Sequence, residues 1–138
     1  MIAFPTYVDE VPDAPVASVM RHGVVSIAED ATLANLARAM GDHRVHAILV
    51  EERTTGRPLG WAKAETLLAW MNMQDPWVHA HQAIGESVTT IAPTASLRDA
   101  MAALSRPETS RLLVCSEGSR AGEGVVTPLD VIAALTAG

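Results

Sequence analysis

Thr127-Pro128-Leu129-Asp130 is the run in this chain best suited to hold a ligand. An apolar stretch from Gly124 to Thr127 precedes it, and Pro128, Val131, Ile132 and Leu135 follow at helical spacing, so the four residues stand where a strand hands over to a helix. A helix start offers unpaired backbone N–H groups and a partial positive charge, both suited to a phosphate. Thr127 could donate its hydroxyl to that phosphate. Asp130, one turn in, could accept from the two adjacent hydroxyls of a ribose. The same residues also make a helix cap, with a hydroxyl at the N-cap, proline at the first helical position and a carboxylate at the third. These four residues alone favour the cap, which is common in helical proteins.

Other chemistry finds less support. His43 and His46 flank an apolar strand and His79-x-His81 lies in a connecting stretch, but no Asp, Glu or Cys joins either pair at ligand spacing. No metal site is expected. Cys115, the single cysteine, closes an apolar strand and fits a small buried hydrophobe better than a reactive thiolate. Its solitude excludes an intrachain disulfide and is simplest in a reducing compartment. There is no phosphate-binding loop of the Walker type and no pair of carboxylates bracketing a cleft, so an enzyme is not expected. A net charge of −6 and an aromatic content of 4% argue against nucleic acid, which needs a cationic face and rings to stack on. No signal-like start and no bilayer-length apolar window is present, so a cytoplasmic protein without membrane contact is expected.

The elements that must position Thr127 and Asp130 occur twice. Ile27 and Ile91, Leu33 and Leu97, Met40 and Leu104, and Gly60 and Gly124 each stand 64 positions apart. In a chain of 138 residues that is 49% hydrophobic, such copies are halves of one compact body. The first copy reads as a strand (24–27), a helix with Leu33, Leu36, Ala37 and Met40 inward, a buried strand (47–50), a polar loop (51–57), a strand (59–62) and a helix with Ala64, Leu67, Leu68 and Met71 on one face. The second repeats it: strand 88–91, helix from Leu97 with Ala100, Met101 and Leu104 inward, strand 112–115, loop 116–123, strand 124–127 and the final helix. The register slips by one residue near Pro107. The fold class expected is α/β (α+β), two pseudo-symmetric β-α-β-β-α units packed into one body. The division is an N-terminal arm (1–15), a first repeat (16–72), a connector containing Pro76 (73–82) and a second repeat (83–138).

This doubled unit, with Val-Ala-Ser-Val-Met (16–20) leading into its first strand, the apolar strand 47–50, and Gly-x-x-Thr-x-x-Asp at 124–130, resembles the tandem cystathionine-β-synthase (CBS) domain pair, or Bateman module, of the stand-alone kind. The resemblance spans about Val16 to Leu135. It implies a non-catalytic regulatory module that binds AMP, ADP, ATP or S-adenosylmethionine in a cleft between the repeats and signals by conformational shift, with no cofactor required. Thr127 would contact phosphate or ribose and Asp130 would hold the ribose hydroxyls. Adenine would lie against Thr89, Thr90, Ile91 and Pro93 and against the strand beginning at Leu112, with Arg111 placed to meet phosphate.

The first copy departs from the motif. Lys63 stands in the threonine position and Thr66 in the aspartate position, so the ribose acceptor is missing there. One nucleotide per chain is therefore expected, with Lys63 either a plain surface lysine or lending its charge to a phosphate. Trp61, Trp70, Met71, Met73 and Trp77 cluster near the end of the first copy, either as core or as the surface of a homodimer. The alternative function is a ligand-independent scaffold for dimerisation or partner docking.

Overall fold

The computed structural model describes residues 11–119 and 121–136; most of the expected N-terminal arm lies outside the described residues. The described residues form two compact units, one continuous (Val24–Val88) and one split, made of the described residues up to Gly23 together with those from Thr89 onward. The units thus do not follow the order of the sequence repeats.

In the continuous unit, β2 (Ser26–Ala28) pairs parallel with β3 (Ala47–Glu51), which pairs antiparallel with β4 (Pro58–Lys63), and β4 pairs antiparallel with β5 (Ile84–Glu86). Helix α1 (Leu33–His43) begins where the Thr32 hydroxyl accepts from Asn35 N at 3.1 Å, and the chain leaves it through Arg44 in the left-handed conformation. Its i, i+3, i+7 residues Leu33, Leu36 and Met40 pack with Ile48, Val50, Ala62 and Leu67 of α2 (Ala64–Met73). Leu36 is fully buried, and truncating such a leucine to alanine costs about 2–5 kcal/mol.

In the split unit the sheet order is β1 (Arg21–His22), β8 (Gly124–Val126), β7 (Leu112–Val114), β6 (Thr90–Ile91). Strand β1 runs antiparallel to β8, which runs antiparallel to β7, and β6 runs parallel to β7. A short 3-10 turn, Val16–Ser18, anchors the leading segment by Val16 N to Ala95 O (2.8 Å) and Ala17 N to Pro93 O (2.9 Å). Helix α3 (Leu97–Leu104) and helix α4 (Pro128–Thr136) supply Ala100 and Val131 to a core with Val16, Leu112, Val114 and Val126.

The expected strands and helices are present within a residue or two at most ends. Four short elements carried no sequence signal: the turn at 16–18, β1, a second 3-10 turn at Ala80–Ala83, and β5. The faces assigned to α2 and α4 need correction. Leu67 and Val131 are buried, but their neighbours Leu68 and Ile132 are 66% and 50% exposed, because one residue on turns the side chain about 100° around a helix. The tryptophan–methionine cluster also separates: Trp61 is buried, the Trp70 indole donates to Gln82 O at 2.8 Å, and Met73 and Trp77 are exposed. Among the described residues no helix is long and apolar enough to cross a membrane.

Candidate functional site

The strand-to-helix junction forms as expected, with β8 ending at Val126 and Pro128 opening α4. Its hydrogen bonding is not that of a reciprocal cap. At α3 the full box is made: the Ser96 hydroxyl accepts from Asp99 N at 3.1 Å, and the Asp99 carboxylate accepts from Ser96 N at 3.4 Å. At α4 the Asp130 carboxylate accepts twice from Thr127, and the helix N–H is left to a backbone carbonyl. Its Oδ2 accepts from Thr127 N at 2.8 Å and from the Thr127 hydroxyl at 2.9 Å, while Asp130 N bonds to the Thr127 carbonyl at 3.0 Å. The threonine hydroxyl is thereby tied to the carboxylate, and its own lone pairs are not used to hold the helix N–H of Asp130.

The other carboxylate oxygen meets a residue that the sequence reading did not single out. Arg21 Nε donates to Asp130 Oδ1 at 3.1 Å, across 109 positions of sequence, with the arginine side chain 75% exposed and the aspartate 10%. Strand β1 brings it there by pairing Arg21 with Val125 and His22 with Gly124. Gly124 permits that approach, since a Cβ on it would lie 2.5 Å from the Arg21 carbonyl and 2.8 Å from the Met20 sulfur. The repeated glycine was the legible signal; which strand it admitted was not.

Of the remaining candidates, several gather at the same end of this sheet. Leu112 pairs with Val126, so Arg111 stands beside Thr127, and its Nε donates to Ser110 Oγ at 3.3 Å. The Leu112 side chain itself is buried in the core, so only its backbone could meet a ligand. In β6, the Thr89 and Ile91 carbonyls accept from Leu113 N (2.9 Å) and Cys115 N (3.0 Å), which turns the intervening Thr90 backbone to the sheet's open edge. Thr90 is exposed there, about 10 Å from β8 across two strand spacings. Pro93 lies past the opposite end of β6, with its carbonyl bonded to Ala17 N, and is not brought to Thr127.

In the continuous unit the corresponding junction is built with opposite polarity. Lys63 is the N-cap of α2 without a side-chain cap bond, and its Nζ lies 3.6 Å from Glu86 Oε1 and 3.4 Å from Glu65 Oε1. Glu86 is buried and faces Trp61 in the ladder, the position that Arg21 holds opposite Val125. Gly85 packs against the helix start, where an added Cβ would come 2.6 Å from the Thr66 hydroxyl.

Two other groups are placed by the structure. Burial first, and the Glu123 carboxylate second, push the Cys115 thiol above its ordinary pKa, opposite to what a reactive thiolate needs. The His79 and His81 rings stack with centroids 6.5 Å apart, and among the described residues no group of three or more His, Cys, Asp or Glu side chains could hold a metal ion.

The sequence matches no curated protein. Among solved structures the chain is similar to the CBS domain of a bacterial CNNM/CorC family Mg2+ transporter in complex with ATP (23% identity, TM-score 0.79, 93% of this chain and 91% of that chain). It is also similar to a CBS domain protein from Pyrobaculum aerophilum complexed with AMP (20% identity, TM-score 0.70, 85% of this chain and 89% of that chain), and to Hypoxic Response Protein I with two coordinated zinc ions (20% identity, TM-score 0.70, 86% of this chain and 97% of that chain). At these identities the likeness is one of fold. The family model of the CBS domain matches residues 16–72 and 83–137, most of the chain, and the protein therefore belongs to the CBS domain family, with the domain present twice in tandem.

Proposed function

We propose that this tandem pair is a non-catalytic regulatory module that binds one adenosine-containing ligand per chain, AMP, ADP, ATP or S-adenosylmethionine, at the Thr127–Asp130 junction. The observation that carries the reading is the one-sided bonding of Asp130. A carboxylate that was only a cap would be matched by a hydroxyl accepting from the helix, as at Ser96 and Asp99, whereas here the threonine hydroxyl and the arginine both bond to the carboxylate. Such a group accepts well from a ribose diol. Thr90 at the edge of β6 and Arg111 before β7 stand at the same end of the sheet, placed to read an adenine edge and a phosphate. Lys63 and Thr66 would hold no second nucleotide, since Glu86 occupies the lysine and Gly85 closes on the threonine.

The signal would be a population shift, because a ligand can favour one conformation only by its differential affinity for it. Titration calorimetry with AMP, ADP, ATP and S-adenosylmethionine is expected to give binding at one site per chain for at least one of them. Two equal sites would overturn the stoichiometry. No heat with any ligand, together with no nucleotide released from freshly purified protein, would overturn the function.

A second reading, a dimerisation or docking scaffold, is favoured by the exposed apolar residues Leu129 (70%), Ile132 and Leu68. It predicts concentration-dependent association that Leu129→Glu abolishes and that no nucleotide alters.

A further inference from the structure

We propose that Arg21 is a specificity-determining residue of the Thr127–Asp130 site, selecting adenosine ligands that carry phosphate over neutral or cationic ones. The inference rests on the reading that Asp130 takes the ribose. A carboxylate offers about four acceptor positions, two on each oxygen. Thr127 fills both positions on Oδ2 through its N–H and hydroxyl, and Arg21 fills one on Oδ1. A ribose diol brings two donors to the one position left open, so a bond already present must give way.

Arg21 is the partner that yields. Its side chain is 75% exposed, so water can take over its hydrogen bonds as it leaves, while a ribose hydroxyl takes its place on Asp130, which is 10% exposed. The Thr127 N–H, by contrast, is fixed in the backbone between β8 and α4. Once displaced, the guanidinium stays tethered to β1 beside the ribose position, because Arg21 is locked opposite Val125 in the ladder. A phosphate on the ribose would meet a planar cation with several donors, the geometry that Arg supplies for phosphate. Adenosine gives the released arginine nothing in return, and S-adenosylmethionine brings a sulfonium to the same place. The inverted junction in the continuous unit marks the preference as a property of one copy: there the ladder position of Arg21 is Glu86, whose charge would repel a phosphate.

The test is Arg21→Ala and Arg21→Lys in the full chain, titrated with ATP, AMP, adenosine and S-adenosylmethionine without divalent cations. Truncating so exposed a side chain should leave the fold intact, checked by a cooperative unfolding transition like that of the native protein. The expected result is that the two ligands diverge: ATP about tenfold weaker in Arg21→Ala, from the loss of a charged hydrogen-bond partner, and adenosine unchanged or tighter. Arg21→Lys should recover most of the ATP affinity. ATP binding to Arg21→Ala should also depend less on salt than in the native protein. An equal loss for ATP and adenosine, or no loss for ATP, overturns the selection by Arg21 while leaving the site standing. Failure of the native protein to bind any of the four removes the site and this inference together.

Discussion

Asp130→Ala separates a helix cap from a ligand group, and the structure sets the size of each effect. The substitution removes three hydrogen bonds from the carboxylate. The Thr127 hydroxyl is free to rotate toward water, and the arginine is largely solvated already, so these two contribute little. The Thr127 N–H loses its 2.8 Å acceptor in a part-buried junction, which costs about 1–2 kcal/mol. A matched control exists in the same unit. Asp99→Ala breaks the reciprocal box of α3 and should lower stability by a similar ~1 kcal/mol. Urea unfolding of both variants should therefore give similar shifts. Calorimetry with ATP or AMP should not: Asp99→Ala is expected to bind as the native protein does, whereas Asp130→Ala, having lost charged bonds to a diol, should bind about a hundredfold more weakly or not at all. Should Asp130→Ala fold poorly, Asp130→Asn keeps one carbonyl acceptor for Thr127 N and should fold while still binding weakly. Equal stability losses with undiminished ligand affinity in both alanine variants would refute the ligand role of Asp130.

Gly124→Ala would drive a Cβ to 2.5 Å from the Arg21 carbonyl, a backbone atom that can yield only by lifting β1 from β8; a loss of about 1–3 kcal/mol in urea unfolding is expected, together with weakened ATP binding as β1 carries the Arg21 guanidinium away from the ribose position. Cys115, with its thiol held above the ordinary range, should alkylate with iodoacetamide more slowly than a free cysteine at neutral pH, and the rate should climb on raising pH through the elevated pKa. The Asp30 carboxyl is held below its ordinary range, first by its bonds to the Arg53 guanidinium. Because the folded pKa is depressed, whatever stability the pair contributes is present above the unfolded-state value and is lost as pH falls through the folded one. Carboxyl NMR titration should place the Asp30 midpoint lower in the native protein than in Arg53→Ala.

What the sequence made legible and what it hid differ in physical kind. Strands β3 and β7 and helices α1 and α3 bury their own side chains, so their apolar period announces them. Strands β1 and β5 are two and three residues long, with no period to read; they exist because a neighbouring strand offers them a ladder. That is also why the leading segment 16–23, written as part of the first repeat, could be assigned to the split unit only from the structure. The geometry of the candidate site was legible in proportion. Thr127 and Asp130 are neighbours on one turn, and their motif carries their geometry. Arg21 reaches Asp130 only through β1, and nothing in its surroundings at Met20 or His22 marks it.

The two junctions, compared as built structures, turn a difference in motif into a difference in charge. Both place an edge strand against the start of a helix, and both have a glycine in the strand leading to that helix that lets the edge strand approach, Gly60 against Ile84 and Gly124 against Met20 and Arg21. One junction joins a buried carboxylate on the edge strand to a cation at the helix start; the other joins an exposed cation on the edge strand to a carboxylate in the first helical turn. The carboxylate is largely buried in both; the cations differ, Arg21 being 75% exposed and Lys63 25%. Arg21 can leave for water with a ribose hydroxyl taking its place on Asp130, whereas Lys63 is itself largely covered and its removal would leave Glu86, 5% exposed, without that cation. The proposal of one site per chain rests on that asymmetry as much as on the missing threonine and aspartate of the first copy.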